Sequence, residues 1–142
     1  MDGKIEIFRS DRVTGSDNLT RLFSELSGFH REPDIDRINS LIADGTLAFY
    51  LVCEDDRPVG MASVISCRTA ASDKLWIEDV CILSECRGRG LGRALLEFAI
   101  KDSVSLFGEG TFWLTSRPSR TVARKMYEAL GFSEYETGVY RL

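Results

Sequence analysis

Residues 75–93 read LWIEDVCILSECRGRGLGR, and they contain the pattern that most clearly indicates the fold class of the chain. Residues 75–83 form an apolar run suited to a strand, and glycines at 88, 90 and 92 follow in a turn. The turn runs into a helix whose apolar face is predicted to hold Leu91, Ala94, Leu95 and Phe98. Another strand is predicted at residues 111–115. The order predicts a strand–helix–strand unit with a right-handed crossover.

The rest of the chain also alternates between strand and helix patterns. Strands are predicted at residues 4–9, 47–53 and 59–67, with the last two paired as a hairpin. The predicted helices cover residues 16–27, ended by Gly28, and a segment capped by Asp34. A last helix opens at Pro118 and ends at Gly131, with Val122 on its apolar face, and the tail is predicted to hold one or two short strands around Gly138. The sum is one mixed α/β domain spanning residues 1–142.

Composition excludes several classes of protein. The chain has 142 residues, 44% of them apolar, which is enough for one core and one domain. Its net charge of −4 argues against a broadly basic nucleic-acid surface. No apolar run reaches the ~18 residues of a membrane span. The first residues lack a secretion signal, so a cytoplasmic location is expected. The four cysteines form no CxxC pair, so free thiols and no metal are predicted.

The glycine turn is predicted to bind an anion. Glycines let backbone N–H groups approach a ligand, and the first turn of a helix has unpaired donors and partial positive charge. Arg87, Arg89 and Arg93 add positive charge to an otherwise acidic chain. The turn matches neither the Walker loop nor the dinucleotide fingerprint. The alternative is a turn that only reverses the chain.

Three motifs resemble the GNAT superfamily of N-acetyltransferases. Residues 87–92, RGRGLG, are similar to its Arg/Gln-x-x-Gly-x-Gly/Ala pyrophosphate loop. Residues 78–82 look like its central strand, and Ala123-x-x-x-Tyr127-x-x-x-Gly131-Phe132 looks like its final helix and turn. The three motifs occur in the family's order and at similar separations. The resemblance is strong over residues 75–132 and weaker before them.

The resemblance implies a twisted mixed sheet with helices on both faces, whose central strands splay to admit acetyl-CoA. Main-chain groups of Val80, Cys81 and Ile82 would bond the pantetheine arm, and backbone N–H groups of residues 88–93 would hold the pyrophosphate. The full predicted set for acetyl-CoA is Val80, Cys81, Ile82, Arg87, Gly88, Arg89, Gly90, Leu91, Gly92 and Arg93. Many relatives have Asn where this chain has Arg120, which puts one contact with the co-substrate in doubt.

Two side chains are the catalytic candidates. Tyr127 matches the family tyrosine that protonates the leaving sulfur, and the alternative is a packing residue on the apolar face. Glu78 is the preferred base over Asp79, because burial in an apolar strand would raise its pKa. Strand alternation predicts that Glu78 shares a face with Trp76, Val80 and Ile82. The alternative for Glu78 is a structural carboxylate.

The sequence contains little information on the identity of the acetyl acceptor. The resemblance implies direct transfer of an acetyl group to a primary amine of a small molecule or peptide, without metal, and places the acceptor near residues 29–34. Relatives often form homodimers, so a homodimer is an expectation of the same kind. Two other classes stay open: a non-catalytic acyl-CoA sensor module, and another nucleotide-phosphate binder that uses the same loop.

Overall fold

The computed structural model describes residues 3–142. The chain forms five strands, four α-helices and one short 3₁₀ turn in this part. In chain order they are β1 (Ile5–Ser10), α1 (Asp17–Ser27), α2 (Ile35–Ala43), β2 (Leu47–Glu54), β3 (Arg57–Arg68), β4 (Asp73–Ile82), the 3₁₀ turn (Ser84–Cys86), α3 (Leu91–Phe107), β5 (Thr111–Trp113) and α4 (Thr121–Ala129). None of the helices in the described chain is both long and apolar enough to cross a membrane.

The strands form one open sheet in the order β1-β2-β3-β4-β5. The first four strands pair antiparallel, whereas β4 and β5 pair parallel across α3. The parallel pairing confirms the predicted crossover unit. It covers only Lys74 to Trp76 of β4, so residues 77–82 extend past β5 without a strand partner on that side. β5 therefore ends where β4 continues, which leaves an opening beside the second half of β4; the splay of two strands that the resemblance implied stays a prediction.

Helices cover both faces of the sheet. Successive residues of β2 and β3 are buried, which requires cover on both sides. Tyr50 of β2 marks the face that α3 covers, because its hydroxyl donates to Asp102 Oδ2 at 2.7 Å. We call this face the α3 face and the other, against which α1 packs on β3 and β4, the α1 face. The predicted α/β class is confirmed.

Local capping signals set the ends of the first two helices where they were predicted. Ser16 accepts a hydrogen bond from the backbone N–H of Leu19 at 3.1 Å, and Asp34 accepts one from Arg37 at 3.0 Å. Gly28 closes α1 in the left-handed region with a φ of 81°.

Two apolar residues do not face the core as predicted. The buried stripe of α3 is centred between Leu95 and Leu96, about 100° around the helix from Phe98. Phe98 is therefore 37% exposed, with its ring edge-on to Tyr50 at 6.1 Å. Val122 is 84% exposed because it lies on the side of α4 away from the buried Tyr127.

The prediction of strands in the tail is wrong. Residues 133–142 form no strand in the structure, and β5 offers only a three-residue edge on which a further strand could pair. Tyr135 instead packs its ring against Trp113, with the centroids 4.9 Å apart. Val139 and Tyr140 stay exposed because nothing in the described chain covers them.

Candidate active site

A β-bulge in β4 sets the direction of the acidic pair. Met61 pairs with Cys81 and Ser63 pairs with Glu78, so β4 holds one residue more than β3 over this interval. Asp79 lies in the bulge with a φ of 56°, a conformation that Asp tolerates better than most residues. The buried Ser63 hydroxyl donates to Asp79 Oδ2 at 3.0 Å. Asp79 thus has a structural partner.

The bulge changes which residues share a face. Directly paired residues lie on the same face, so Glu78 and Cys81 both lie on the α1 face with their partners in β3. Ile82 pairs with Gly60 and lies on the α3 face. The prediction that Glu78 shares a face with Ile82 is wrong, because simple alternation does not hold across an inserted residue.

Glu78 is the carboxylate of the pair that remains unengaged. Its side chain is exposed, contrary to the expected burial, and it makes no hydrogen bond or ion pair with any residue from 3 to 142. The pKa of Glu78 is nevertheless raised, first by partial desolvation and then by the neighbouring negative charge of Asp79. Such a carboxylate accepts a proton more readily than an ordinary surface Glu.

The glycine loop presents unoccupied backbone donors to open space. Gly88 and Gly90 adopt positive φ values of 78° and 75°, and a Cβ atom added at either position would meet no atom within 4 Å. No side chain caps α3, and its first turn holds no acid. The N–H groups of that turn are available to an anion.

The three arginines of the loop have different partners. Arg89 forms a two-pronged ion pair with Glu54, and Arg93 pairs with Glu97 at 2.9 Å. Arg87 donates from Nε to the carbonyl of Ile82 at 2.9 Å and has no carboxylate partner within residues 3–142. The positive charge that was predicted for an anion is therefore largely neutralised at two of the three positions.

The backbone of β4 offers alternate groups to the space beside it. Leu83 donates its N–H to Val59 of β3 at 2.8 Å, and Cys81, two residues earlier, is directed to β3 in the same way. The Ile82 carbonyl points away from β3, where it accepts from Arg87. Ile82 therefore presents its carbonyl to the opening, whereas Cys81 presents its own groups to β3. Val80 lies inside the bulge, where this alternation does not apply.

Helix α4 packs against the start of α3 through Met126, the residue before Tyr127. A Cβ added at Gly92 would lie 3.1 Å from Met126 Sδ and 3.5 Å from Ile82 Cγ1, so these three residues meet. Tyr127 is 8% exposed, and its hydroxyl makes no hydrogen bond with another residue of the described chain. Burial raises the pKa of Tyr127, against an opposing effect from the positive charge of Arg120. The hydroxyl is therefore protonated at neutral pH.

Arg120 and Glu25 act on the same cysteine from different helices. The pKa of Cys81 is raised by its burial and by the charge of Glu25, and lowered by Arg87 and Arg120. Glu25 also accepts from the backbone N–H of Ser84, at 3.2 and 3.3 Å to its two oxygens. These residues place the end of α1 and the start of α4 at the opening of β4. Sequence analysis did not single out Glu25, because no local pattern signals a contact 59 residues away.

An aromatic cluster, also missed, lies on the α1 face beside Glu78. Trp76 pairs with Trp113, and their ring centroids are 5.8 Å apart. Lys74 Nζ sits 4.9 Å from the centroid of the Trp113 ring. Trp113 Nε1 and the Ser116 hydroxyl are buried without hydrogen-bond partners in the described residues. Trp76 precedes Glu78 by two residues on the same face, so the cluster adjoins the raised carboxylate.

A shallow groove of about 370 Å³ runs along α1. It lies apart from the glycine loop but reaches Glu25, and His30 of the predicted acceptor region lines it. Its lining is Asp17, Thr20, Arg21, Ser24, Glu25 and His30. No group of three or more His, Cys, Asp or Glu in the described chain could hold a metal ion.

The unpartnered end of β4, the uncapped start of α3 and Tyr127 of the last helix are the features expected of an acyltransferase of the GNAT type. The chain belongs to the acetyltransferase (GNAT) family, whose model matches residues 16–132. It is 39% identical over 62 residues to the [ribosomal protein bS18]-alanine N-acetyltransferase of Escherichia coli (strain K12). That match spans 44% of this chain and 41% of the relative.

Solved structures share the fold over nearly the whole chain. A predicted acetyltransferase with acetyl-CoA from Clostridium acetobutylicum has a TM-score of 0.75 at 16% identity, covering 98% of this chain and 96% of that one. Glucosamine-6-phosphate N-acetyltransferase from Arabidopsis thaliana has a TM-score of 0.74 at 18% identity, covering 98% of both chains. At these identities the likeness establishes the fold.

Proposed function

We propose that the protein is an acetyl-CoA-dependent N-acetyltransferase that moves an acetyl group directly to a primary amine of a small molecule or peptide. The observation that carries the proposal is the opening beside residues 77–82 of β4, which ends at the uncapped first turn of α3. An extended arm with an anionic end fits such a site, because strand-like backbone groups and helix-start donors lie in sequence along it.

The residues present fit acetyl-CoA. The open space at Gly88 and Gly90 leaves room for a pyrophosphate against the N–H groups of Leu91, Gly92 and Arg93. The backbone of Val80 and Ile82 would bond the pantetheine arm, and Arg87 has to release the Ile82 carbonyl or share it. Arg120 adds a cation without a carboxylate partner in the described residues, at the position where relatives often have Asn.

The proposed chemistry assigns one proton to each catalytic side chain. Bound acetyl-CoA supplies the thioester carbonyl carbon, and the neutral amine attacks it as the carbon–sulfur bond breaks. Glu78, with its raised pKa, takes the proton that the amine loses, directly or through water. Tyr127 gives its hydroxyl proton to the departing sulfur, and burial keeps that proton in place at neutral pH.

The acceptor is a cationic amine in this proposal. Glu78 attracts an ammonium group, and the Trp76–Trp113 cluster beside it offers flat apolar surface and cation–π contact. The relatives named above act on a ribosomal protein alanine and on glucosamine-6-phosphate. A peptide with a free N-terminal alanine and an amino sugar are therefore the first acceptors to test. The acyl-CoA sensor is not favoured, because Glu78 and Tyr127 have no role in it.

Acetyl-CoA is expected to raise the melting temperature, and amines are expected to release free CoA thiol from it. A ligand present at 100 times its Kd stabilises the folded state by about 2.7 kcal/mol. The test combines a thermal-shift assay of acetyl-CoA, ATP and NAD with thiol release on the amine panel. Stabilisation without thiol release for any amine would indicate the sensor, and equal stabilisation by ATP would indicate another nucleotide binder.

Glu78→Gln is expected to lower turnover by about 100-fold near pH 6, with a smaller loss as pH rises. A base matters most where the amine is protonated, and activity that needs the carboxylate falls as pH drops through its raised pKa. The raised pKa also means that ionised Glu78 is less favoured in the folded chain than in the unfolded chain, so the variant should not melt lower. The measurement is kcat/KM against pH, with melting temperature alongside.

Asp79→Asn is the matched control for that profile. Asn can keep the positive φ and the bond from the Ser63 hydroxyl. Loss of the Asp79 charge should lower the pKa of Glu78, so the acidic limb moves to lower pH while turnover at high pH is kept. Parallel profiles of equal height for wild type and Glu78→Gln would show that Glu78 is structural.

A further inference from the structure

One ion pair ties the glycine loop to the β2–β3 hairpin. Arg89 donates from its two terminal nitrogens to the two carboxylate oxygens of Glu54, at 3.2 and 2.5 Å. Both side chains are mostly covered, at 29% and 21% exposed. The Gly3 N–H also donates to Glu54, at 3.3 Å. Glu54 is the last residue of β2, so a rigid strand end holds one side of this contact.

Packing leaves two backbone positions of the loop unrestrained. Arg89 stands between Gly88 and Gly90, whose positive φ values need glycine and whose surroundings hold no atom within 4 Å of an added Cβ. Glycine has the largest conformational freedom to lose, and packing at these two positions does not restrict it. Beside these positions, Arg87 contacts the carbonyls of Ile82 and Ser84, the latter at 3.4 Å, and the buried side chains of Cys86 and Leu91 flank the loop. The two-pronged ion pair therefore ties the middle of the loop, between its two unrestrained glycines, to the end of β2.

We infer that Glu54 is a positioning residue for the acetyl donor: through Arg89 it holds the glycine loop so that the N–H groups at the start of α3 face the pyrophosphate. The inference rests on the proposed function. It also changes the predicted role of Arg89, from a phosphate ligand to an anchor. A guanidinium that forms two hydrogen bonds with a partly buried carboxylate fixes both groups in one plane. A lysine, or a single hydrogen bond, would not fix this geometry.

Glu54→Gln is expected to raise the Kd for acetyl-CoA about three- to tenfold. The amide keeps the shape of the carboxylate but cannot form the charge-assisted pair with Arg89. The discriminating donor is S-acetylpantetheine, which carries the same thioester without pyrophosphate or adenosine. Its kcat/KM should be unchanged in the variant. Amide exchange of Arg87 and Ala94, whose N–H groups donate to the carbonyls of Ser84 and Gly90 at the two ends of the loop, should become faster in the unliganded protein. Both readouts address the loop and not overall folding.

Glu97→Gln, in α3, is the matched control, because it also removes a carboxylate that pairs with an arginine. Its carboxylate pairs with Arg93 at 2.9 Å, with both side chains 55% exposed, and anchors no loop. It should leave acetyl-CoA affinity and amide exchange at wild-type values. Arg89→Gln should lose at least as much acetyl-CoA affinity as Glu54→Gln, because it removes the same ion pair, and the double variant should be no worse than Arg89→Gln alone.

Three results would overturn the inference. Equal losses on acetyl-CoA and S-acetylpantetheine would show that Glu54 only stabilises the fold. Unchanged or tighter acetyl-CoA binding in Glu54→Gln would make Arg89 a phosphate ligand that Glu54 competes for. Unchanged amide exchange at Arg87 and Ala94 would show that other contacts hold the loop. If the wild-type protein binds no acetyl-CoA, the proposed function itself is wrong, and the variants need not be compared.

Discussion

Tyr127→Phe is expected to lower kcat by about 10²- to 10⁴-fold while leaving the Kd for acetyl-CoA nearly unchanged. The phenyl ring still fills the buried side of α4 and keeps its edge contact with Phe132, at 6.2 Å between centroids. The Tyr127 hydroxyl makes no hydrogen bond with any residue from 3 to 142, so its removal takes no partner from another group. The only loss is the proton donor. Single-turnover kinetics with a good acceptor measure it.

Tyr50→Phe is the matched control, with the opposite pattern. Tyr50 is fully buried and donates to Asp102 Oδ2 at 2.7 Å, so the change removes a hydrogen bond to a charged group and should cost about 1.5–3 kcal/mol of stability, while Arg9 still pairs with that oxygen at 3.5 Å. It lies under α3 and should keep kcat. If Tyr127→Phe retains wild-type kcat with chemistry rate-limiting, Tyr127 is a packing residue and another group or water protonates the sulfur.

The parts of the fold that sequence analysis predicted depend on local signals. Ser16, Gly28 and Asp34 act on their own helix ends, and their capping geometry follows from neighbouring residues alone. The glycine loop and the helix after it are similarly local, because positive φ at Gly88 and Gly90 is a property of those residues. The resemblance then supplied the opening beside β4, which no local pattern contains.

The features that escaped prediction depend on contacts between distant segments. A bulge at Asp79 exists only in relation to β3, yet it decides that Glu78 and Cys81 share a face. The Arg89–Glu54 pair joins residues 35 positions apart. The sequence alone therefore does not distinguish Arg89 from the other two arginines of the loop as a phosphate ligand. The predictions that Phe98 and Val122 face the core are wrong. Periodicity identifies a row of apolar residues along a helix, but it does not show which part of that row faces the sheet.

Gly90→Val is expected to abolish the thermal shift that acetyl-CoA produces. Gly90 precedes α3 with a φ of 75°, and the space that its Cβ would enter holds no protein atom within 4 Å. A valine side chain would therefore occupy the room proposed for the pyrophosphate without striking the protein. The left-handed backbone adds a strain of about 1–3 kcal/mol, so the unliganded variant should melt lower but remain folded. Thermal shift and isothermal titration with acetyl-CoA measure both effects.

Gly45→Val separates the strain from the binding. Gly45 has a φ of 80° and no atom within 4 Å of an added Cβ, as at Gly90, but it follows α2 away from the glycine loop. The two variants should lose similar stability, since each forces a β-branched residue into the same backbone region. Only Gly90→Val should lose acetyl-CoA binding. A folded Gly90→Val protein that keeps the wild-type shift would exclude the loop from the acetyl-CoA site, because a side chain at that position cannot coexist with a phosphate held against the start of α3.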